Sequence, residues 1–230
     1  MVDHTAKMMD RDLKSLLNKI EAMGVIAQKM LDSAIGSLVH TSMELAHATI
    51  AFDKQLDALQ RQIQEEAVLV IARRQPAGAD LREILGAMRI SGDLERIGDL
   101  AKNIAKRAIS LSCAKLLPTK ITEFRKRADF VTSQLKAVLD AFIRRDEWRA
   151  EVVWLRNTKT DPDLDLVSNT IISWMIEHPR DITTSTHFLF SSKNLEHIIA
   201  HTINIADSVH YIVTGERFPL EQRNLTCVSD

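Results

Sequence analysis

Apolar residues return every three or four positions along this chain, the spacing of helices that bury one face. Leu13, Leu16, Leu17, Ile20, Met23, Ile26, Ala27 and Met30 begin the pattern with a period of 3.6 rather than 2, and predict a first helix from about Met8 to Val39. Thr41 and Glu44 make a capping-box signature for a second helix, which runs to about Arg74 and is stopped by Gln75-Pro76. A third helix is expected from near Asp80 to about Leu111, with the next break near Pro118. The plan then repeats: Thr119 to Arg145, Glu147 to Glu177 ahead of Pro179, and Asp181 to Val213 ending at Gly215. Pro162 should kink or restart the fifth of these helices.

Six helices of about 30 residues, joined by short connections, predict an all-α fold of two tandem three-helix bundles. The bundles would occupy residues 1–116 and 117–215, and residues 216–230 read as a polar, frayed tail. The duplication also shows in the residues themselves. Leu94-Glu95-Arg96-Ile97-Gly98-Asp99 with Asn103-Ile104-Ala105 matches Leu195-Glu196-His197-Ile198-Ile199-Ala200 with Asn204-Ile205-Ala206 at an offset of 101. Pro76 maps to Pro179 and Asp57 to Asp161 at offsets of 103 and 104, so the spacing stays nearly constant across three landmarks.

Composition supports the helical reading: 7 glycines, 5 prolines and 5% aromatics are too few for a sheet protein of 230 residues. Thirty basic against 31 acidic side chains leave no long-range basic field, so nucleic-acid binding is not expected. Cys113 and Cys227 stand far apart with no CxxC spacing, which suggests a reduced, cytoplasmic setting. No apolar run approaches the roughly 18 residues of a membrane span, so any membrane association is expected to be peripheral.

Chemistry is concentrated in the acids. On the third helix, Leu94, Ile97, Ala101, Ile104, Ala105 and Ala108 form one apolar stripe, and Glu95, Asp99 and Asn103 fall on the other side as an outward ladder. The second helix offers Asp53 and Asp57 at the same i,i+4 spacing. Like charges so placed repel by roughly 0.2–0.5 kcal/mol per pair, a cost that a cation would remove. Carboxylates suit hard or borderline metal ions, with iron, zinc, magnesium and manganese as candidates. The plainer reading is a solvated face in which Asp57 answers Arg61 and Glu95 answers Lys102, but acids recur at equivalent places in the second copy, at Asp161 and Glu196. Gly98 inside a helix costs about 1 kcal/mol and suggests a close backbone approach.

His197 and His201 make an i,i+4 imidazole pair beside Glu196, with bystander histidines as the plain alternative. Glu44 with His47 gives a lone half of a di-iron carboxylate motif that needs two copies and two more glutamates. Trp148, Trp154 and Trp174 read as core or interface packing. No phosphate loop, nucleophile elbow or HExxH occurs.

Taken together, Gln75-Pro76, Asp80-Leu81-Arg82, the Leu94–Asp99 and Asn103–Ala105 segments, Pro179-Arg180 and Asn204-Ile205-Ala206 resemble the PhoU family, over roughly Leu13 to Phe218. The resemblance implies metal ions on acidic ExxxD or DxxxD pairs, which carries Asp53, Asp57, Glu95 and Asp99 over as a first cluster. The second copy departs from that pattern: Asn157 stands for its first acid, Asp161 remains, and Ala200 replaces the aspartate expected after Glu196. Asp165, His197 and His201 are the substitute ligands to consider there. The resemblance further implies a non-catalytic protein, not an enzyme, that is a negative regulator of phosphate uptake and phosphate-starvation signalling. Its implied partners are a phosphate-sensing histidine kinase, the ATPase subunit of a phosphate ABC transporter and a second copy of the chain. A carboxylate-bridged metal oxidase and a metal-free helical adaptor stay open as other classes.

Overall fold

The computed structural model describes residues 2–111, 118–158 and 162–219, and among them finds seven α-helices and no strand. They are α1 (Val2–Val39), α2 (Met43–Arg74), α3 (Ala79–Ser110), α4 (Pro118–Arg144), α5 (Glu147–Thr158), α6 (Pro162–Glu177) and α7 (Ile182–Thr214). A short 3-10 turn, Pro179–Asp181, leads into α7. The expected fifth helix is two helices, the second beginning at Pro162, whose ring and missing N–H favour a helix start over a helix interior.

Element ends follow local chemistry. The cap of α2 is Ser42, not Thr41: its hydroxyl accepts the Leu45 N–H at 3.3 Å, whereas Thr41 takes a left-handed conformation (φ 54°) that turns the chain out of α1. At the far end of α2, Gln75 adopts φ 50° and its N–H closes onto the Ile71 carbonyl at 3.1 Å, ahead of Pro76. Gly215, at φ 84°, ends α7 in the same manner, with its N–H bonded to the Tyr211 carbonyl at 3.0 Å.

Helices α1, α2 and α3 pack on one another, as α4 to α7 do, but the two copies share a core instead of standing apart. They meet along α3 against α7 and α1 against α4. Two glycines of α3 allow close helix approaches, one between the copies and one within the first. A Cβ on Gly86 would lie 2.4 Å from the Ile212 side chain, so α7 lies directly on α3 there. At Gly98 the same atom would lie 2.2 Å from Leu56, which is how closely α2 approaches α3. The close approach expected at Gly98 is therefore present.

Two surface expectations change. The first residues of the expected frayed tail are tied down: Phe218 is buried between Trp154 and His210, at ring distances of 4.6 and 4.1 Å. Asp207, buried on α7, holds that segment by accepting the Phe218 N–H and an Arg217 guanidinium N–H, each at 3.2 Å. Trp154 belongs to the core and Trp174 stacks on His178, but Trp148 is 67% exposed, because it lies in the first turn of α5 where the bundle no longer covers it. No helix among the described residues is long and apolar enough to cross a membrane.

Candidate metal centre

The Gly98 approach brings Asp53 and Asp57 of α2 to the same seam as Glu95 and Asp99 of α3. This seam is less open than the sequence pattern implied. The side chains of Asp53 and Glu95 are each only 17% exposed, and Asn103 alone of the ladder lies on the exposed surface. The reason is that α3 packs against α1, α2 and α7, so little of its perimeter is left to solvent and its acids occupy a helix border.

Lys102 lies among these acids. Its ammonium donates to both Asp53 carboxylate oxygens at 2.8 Å and to Asp99 Oδ1 at 2.5 Å, joining α2 to α3. The expected pairing of Lys102 with Glu95 is replaced by this bridge, because the i,i+3 position puts Lys102 over Asp99 and facing α2. Likewise Arg61 reaches the backbone carbonyl of Asp57, at 3.4 Å, and not its carboxylate. Arg96, an exposed residue, approaches Glu95 at 3.7 Å and Asp99 at 3.6 Å.

The charges register this crowding. Burial first, then the negative charge of Asp99, pushes the Glu95 carboxyl above its ordinary value; Arg96 opposes the rise, while Asp57 adds to it. Burial alone would lower the Lys102 ammonium, but its hydrogen bonds and charge attraction to Asp53 and Asp99 prevail and raise it. Among the described residues, no three Asp, Glu, His or Cys side chains stand close enough together to hold a metal ion. The carboxylate chemistry is of the kind hard ions take, but these oxygens do not converge as a metal-holding group. Lys102 is a cation already held by three carboxylate oxygens from two helices, and all-carboxylate ligation suits hard ions.

The second copy places its residues differently. Glu196 is engaged by Arg127 of α4 at 3.1 Å and by Lys193 at 2.8 Å, and the Arg127 side chain is only 5% exposed. His197 is exposed. His201 points the other way, its Nδ1 2.8 Å from Asp93 Oδ1 on α3, with Asn204 also donating to that oxygen at 3.3 Å. The histidine pair thus does not converge on Glu196; His201 ties the two copies together. Asp161 and the side chains of Asn157 and Asp165 lie outside the described residues, as do Cys113 and Cys227. Glu44 and His47 are both exposed, so the half-motif of a carboxylate oxidase faces away from the bundle interior. Sequence reasoning missed Lys102 as a bridge, Arg127 and Asp93; the i,i+3 spacing of Asp99 and Lys102 was the one signal that could have been read.

A groove of about 430 Å³ opens beside this seam at the junction of the copies, lined by Gln60, Arg89, Glu95, Arg96, Asn204 and Arg217 among others. Glu95 thus borders both the acid-rich seam and an open recess.

The PhoU domain matches residues 20–108 and again 124–209, once in each copy. The chain belongs to the PhoU family. It is 39% identical to the "Phosphate-specific transport system accessory protein PhoU homolog" of Rhizobium meliloti (strain 1021), over 92% of this chain and 90% of that protein. With the protein of the same description from Caulobacter vibrioides (strain NA1000 / CB15N), identity is 37% over the whole of both. The crystal structure of PhoU from Pseudomonas aeruginosa superposes with a TM-score of 0.87, at 33% identity, covering 90% of this chain and 99% of that one. That of the phosphate transport system regulatory protein PhoU from Streptococcus pneumoniae, at 24% identity, shares the fold with a TM-score of 0.83, over 92% and 99%. The relatives are thus accessory and regulatory proteins of phosphate transport, and the PhoU-family fold accounts for the duplicated helical architecture described above.

Proposed function

We propose that this PhoU-family chain is a non-catalytic negative regulator of phosphate uptake and phosphate-starvation signalling in the cytoplasm. In this reading it restrains the phosphate-sensing histidine kinase when phosphate is plentiful and damps the ATPase subunit of the phosphate ABC transporter. It acts as a homodimer that reaches the membrane through these partners. The observation that carries the reading is kinship along the entire chain with proteins named as accessories of phosphate-specific transport.

Asp53 and Asp57 from α2 with Glu95 and Asp99 from α3 are the residues that would hold a metal ion. When bound, the ion would offset part of the negative charge of the four carboxylates and could link them to oxygen groups of a partner or a lipid head group. The bundle contributes rigidity: Gly98 and Leu56 hold the two acid-bearing helices in contact, so the carboxylates stay at a common seam. In the same reading the second copy, with Asp161 and Glu196 as its acids, would be the weaker place for an ion, because Arg127 and Lys193 already engage Glu196.

Deleting the gene in its host and measuring alkaline phosphatase in rich phosphate tests the regulatory part. Derepression with altered phosphate uptake is expected; normal repression and normal uptake would sink the proposal. Equilibrium dialysis with Asp99→Ala tests the metal part, for which loss of binding is expected. Binding unchanged by the substitution would sink this site, and absence of binding of every divalent ion by the unsubstituted protein would leave a metal-free helical adaptor as the better description.

A further inference from the structure

We propose that the groove at the junction of the copies binds a small molecule carrying a phosphate group, held by the arginines that α3 presents on either side of Gly92. This site is separate from the carboxylate seam and needs no metal ion.

Gly92 lies in the interior of α3, where a glycine costs about 1 kcal/mol relative to alanine. Gly86 and Gly98 admit a neighbouring helix in return, but Gly92 does not: among the described residues, a Cβ placed there would meet nothing within 4 Å. Its bare backbone instead lines the groove of about 430 Å³. Arg89 precedes Gly92 by three residues and Arg96 follows it by four, so all three share one face of α3. The two arginines stand about 10 Å apart along the helix axis, with the notch between them.

Arg89, Arg96 and Arg217 all border this groove and all are exposed. Among the described residues no carboxylate pairs with Arg89. Its guanidinium stands over the Tyr211 ring, 5.7 Å from the centroid, and that of Arg217 stands over the same ring at 5.3 Å. A common aromatic support thus gathers arginines from α3 and from the segment after α7, which reduces the ordering that a ligand would have to impose. The carboxylates of the groove have partners already. Asp93 is engaged by His201 and Asn204, Asp207 accepts from Arg217 and the Phe218 N–H, and Glu95 has Arg96 at 3.7 Å. What is left over is guanidinium N–H, whose planar forks match the spacing and charge of phosphate oxygens. The groove is wider than a phosphate ion needs, and polar Asn204 and Ser208 of α7 face the organic part of a phosphate ester.

The second copy has this place filled. Phe190 aligns with Arg89, Lys193 with Gly92 and His197 with Arg96. Arg107 covers Phe190 at 4.7 Å, and Lys193 is committed to Glu196. The helix therefore accepts a long side chain at the position of Gly92, so packing of the repeat does not require the glycine.

Isothermal titration of the full chain in EDTA, with inorganic phosphate, ribose 5-phosphate and AMP as probes, tests the proposal on wild type, Arg89→Gln, Gly92→Leu and Lys193→Gln. Wild type should bind at least one probe. Arg89→Gln and Gly92→Leu should each weaken that binding about tenfold or more, by losing a charged hydrogen-bonding group and by filling the notch. Lys193→Gln should bind as wild type does. Equal affinity for all three probes assigns the site to the phosphate group alone, and tighter binding of the esters assigns the organic part to the α7 wall; both support the proposal. Gly92→Leu should unfold at or above the wild-type temperature, since it displaces no neighbour and improves helix propensity. A lower unfolding temperature would assign the glycine to folding and overturn its part in the site, and Arg89→Gln, on an exposed side chain, then carries the test. Binding that Arg89→Gln leaves unchanged overturns the proposal. Failure of wild type to bind any of the probes also overturns it, and leaves the arginines to the carboxylates of a protein partner.

Discussion

Glu95 and Glu196 occupy aligned places in the two copies, yet one is crowded by acids and the other is surrounded by bases. Around Glu95 stand Asp57 and Asp99, with Lys102 bridging Asp99 to Asp53 and Arg96 at the edge. Around Glu196 stand Arg127, buried and reaching over from α4, and Lys193 of its own helix. The duplication preserved helix order and packing while the charge chemistry diverged. A buried arginine needs its carboxylate, whereas an acid among acids resists ionising, so the same residue type closes an ion pair in one copy and sits among repelling carboxylates in the other.

The largest expected effect concerns a feature of the second copy alone. Phe218→Ala should empty the slot between Trp154 and His210 and lower stability by about 3–5 kcal/mol in denaturant unfolding. A change under about 1 kcal/mol would mean that the segment after α7 only rests on the core. Next, Glu196→Gln should cost about 2–3 kcal/mol, because the buried Arg127 loses an ionic partner. Stability equal to wild type would erase the contrast between the copies. Asp93→Asn weakens the His201 contact that links α3 to α7, with an expected loss of about 1 kcal/mol.

The smallest effect has the opposite sign. In metal-free protein, Glu95→Gln should raise stability at neutral pH by a few tenths of a kcal/mol, by removing repulsion from Asp99 and Asp57. The fold raises the Glu95 pKa, so its contribution is fully present below the ordinary carboxylate range and is lost as pH rises through the elevated value. The advantage of the amide should therefore shrink as pH falls toward about 4 and below. A neutral-pH penalty from this substitution would show that Glu95 is held by cations as Glu196 is.

Much of this molecule was readable before any coordinates. The i,i+3,i+4 stripes and the Pro and Gly punctuation placed nearly every helix, because these signals act within a few residues of the backbone. Pro162 announced the split of the fifth helix, and the repeated Leu-Glu-x-Ile segments announced the duplication. The acids of the first copy were found by spacing, which places side chains on a face but does not say what that face meets. Hence spacing alone shows the ladder on α3 as outward, leaves Glu95 as one possible partner of Lys102, and sets His197 and His201 on one helix face beside Glu196, without showing that Lys102 bridges to Asp53 and His201 to Asp93. Phe218 was read as tail, since a lone aromatic after a glycine stop carries no period.

The sequence by itself determined the helices, their order, the two copies and the loss of acids at Asn157 and Ala200, all of which follow from short-range preferences and direct alignment. Tertiary packing alone decided which charges meet. The α2–α3 approach at Gly98 gave Asp53 to Lys102, the α4–α7 contact gave Glu196 to Arg127, and the α3–α7 contact at Gly86 left His201 beside Asp93. Coulomb and hydrogen-bond energies depend on separations of a few ångströms between residues far apart in the chain, and no local pattern encodes those separations.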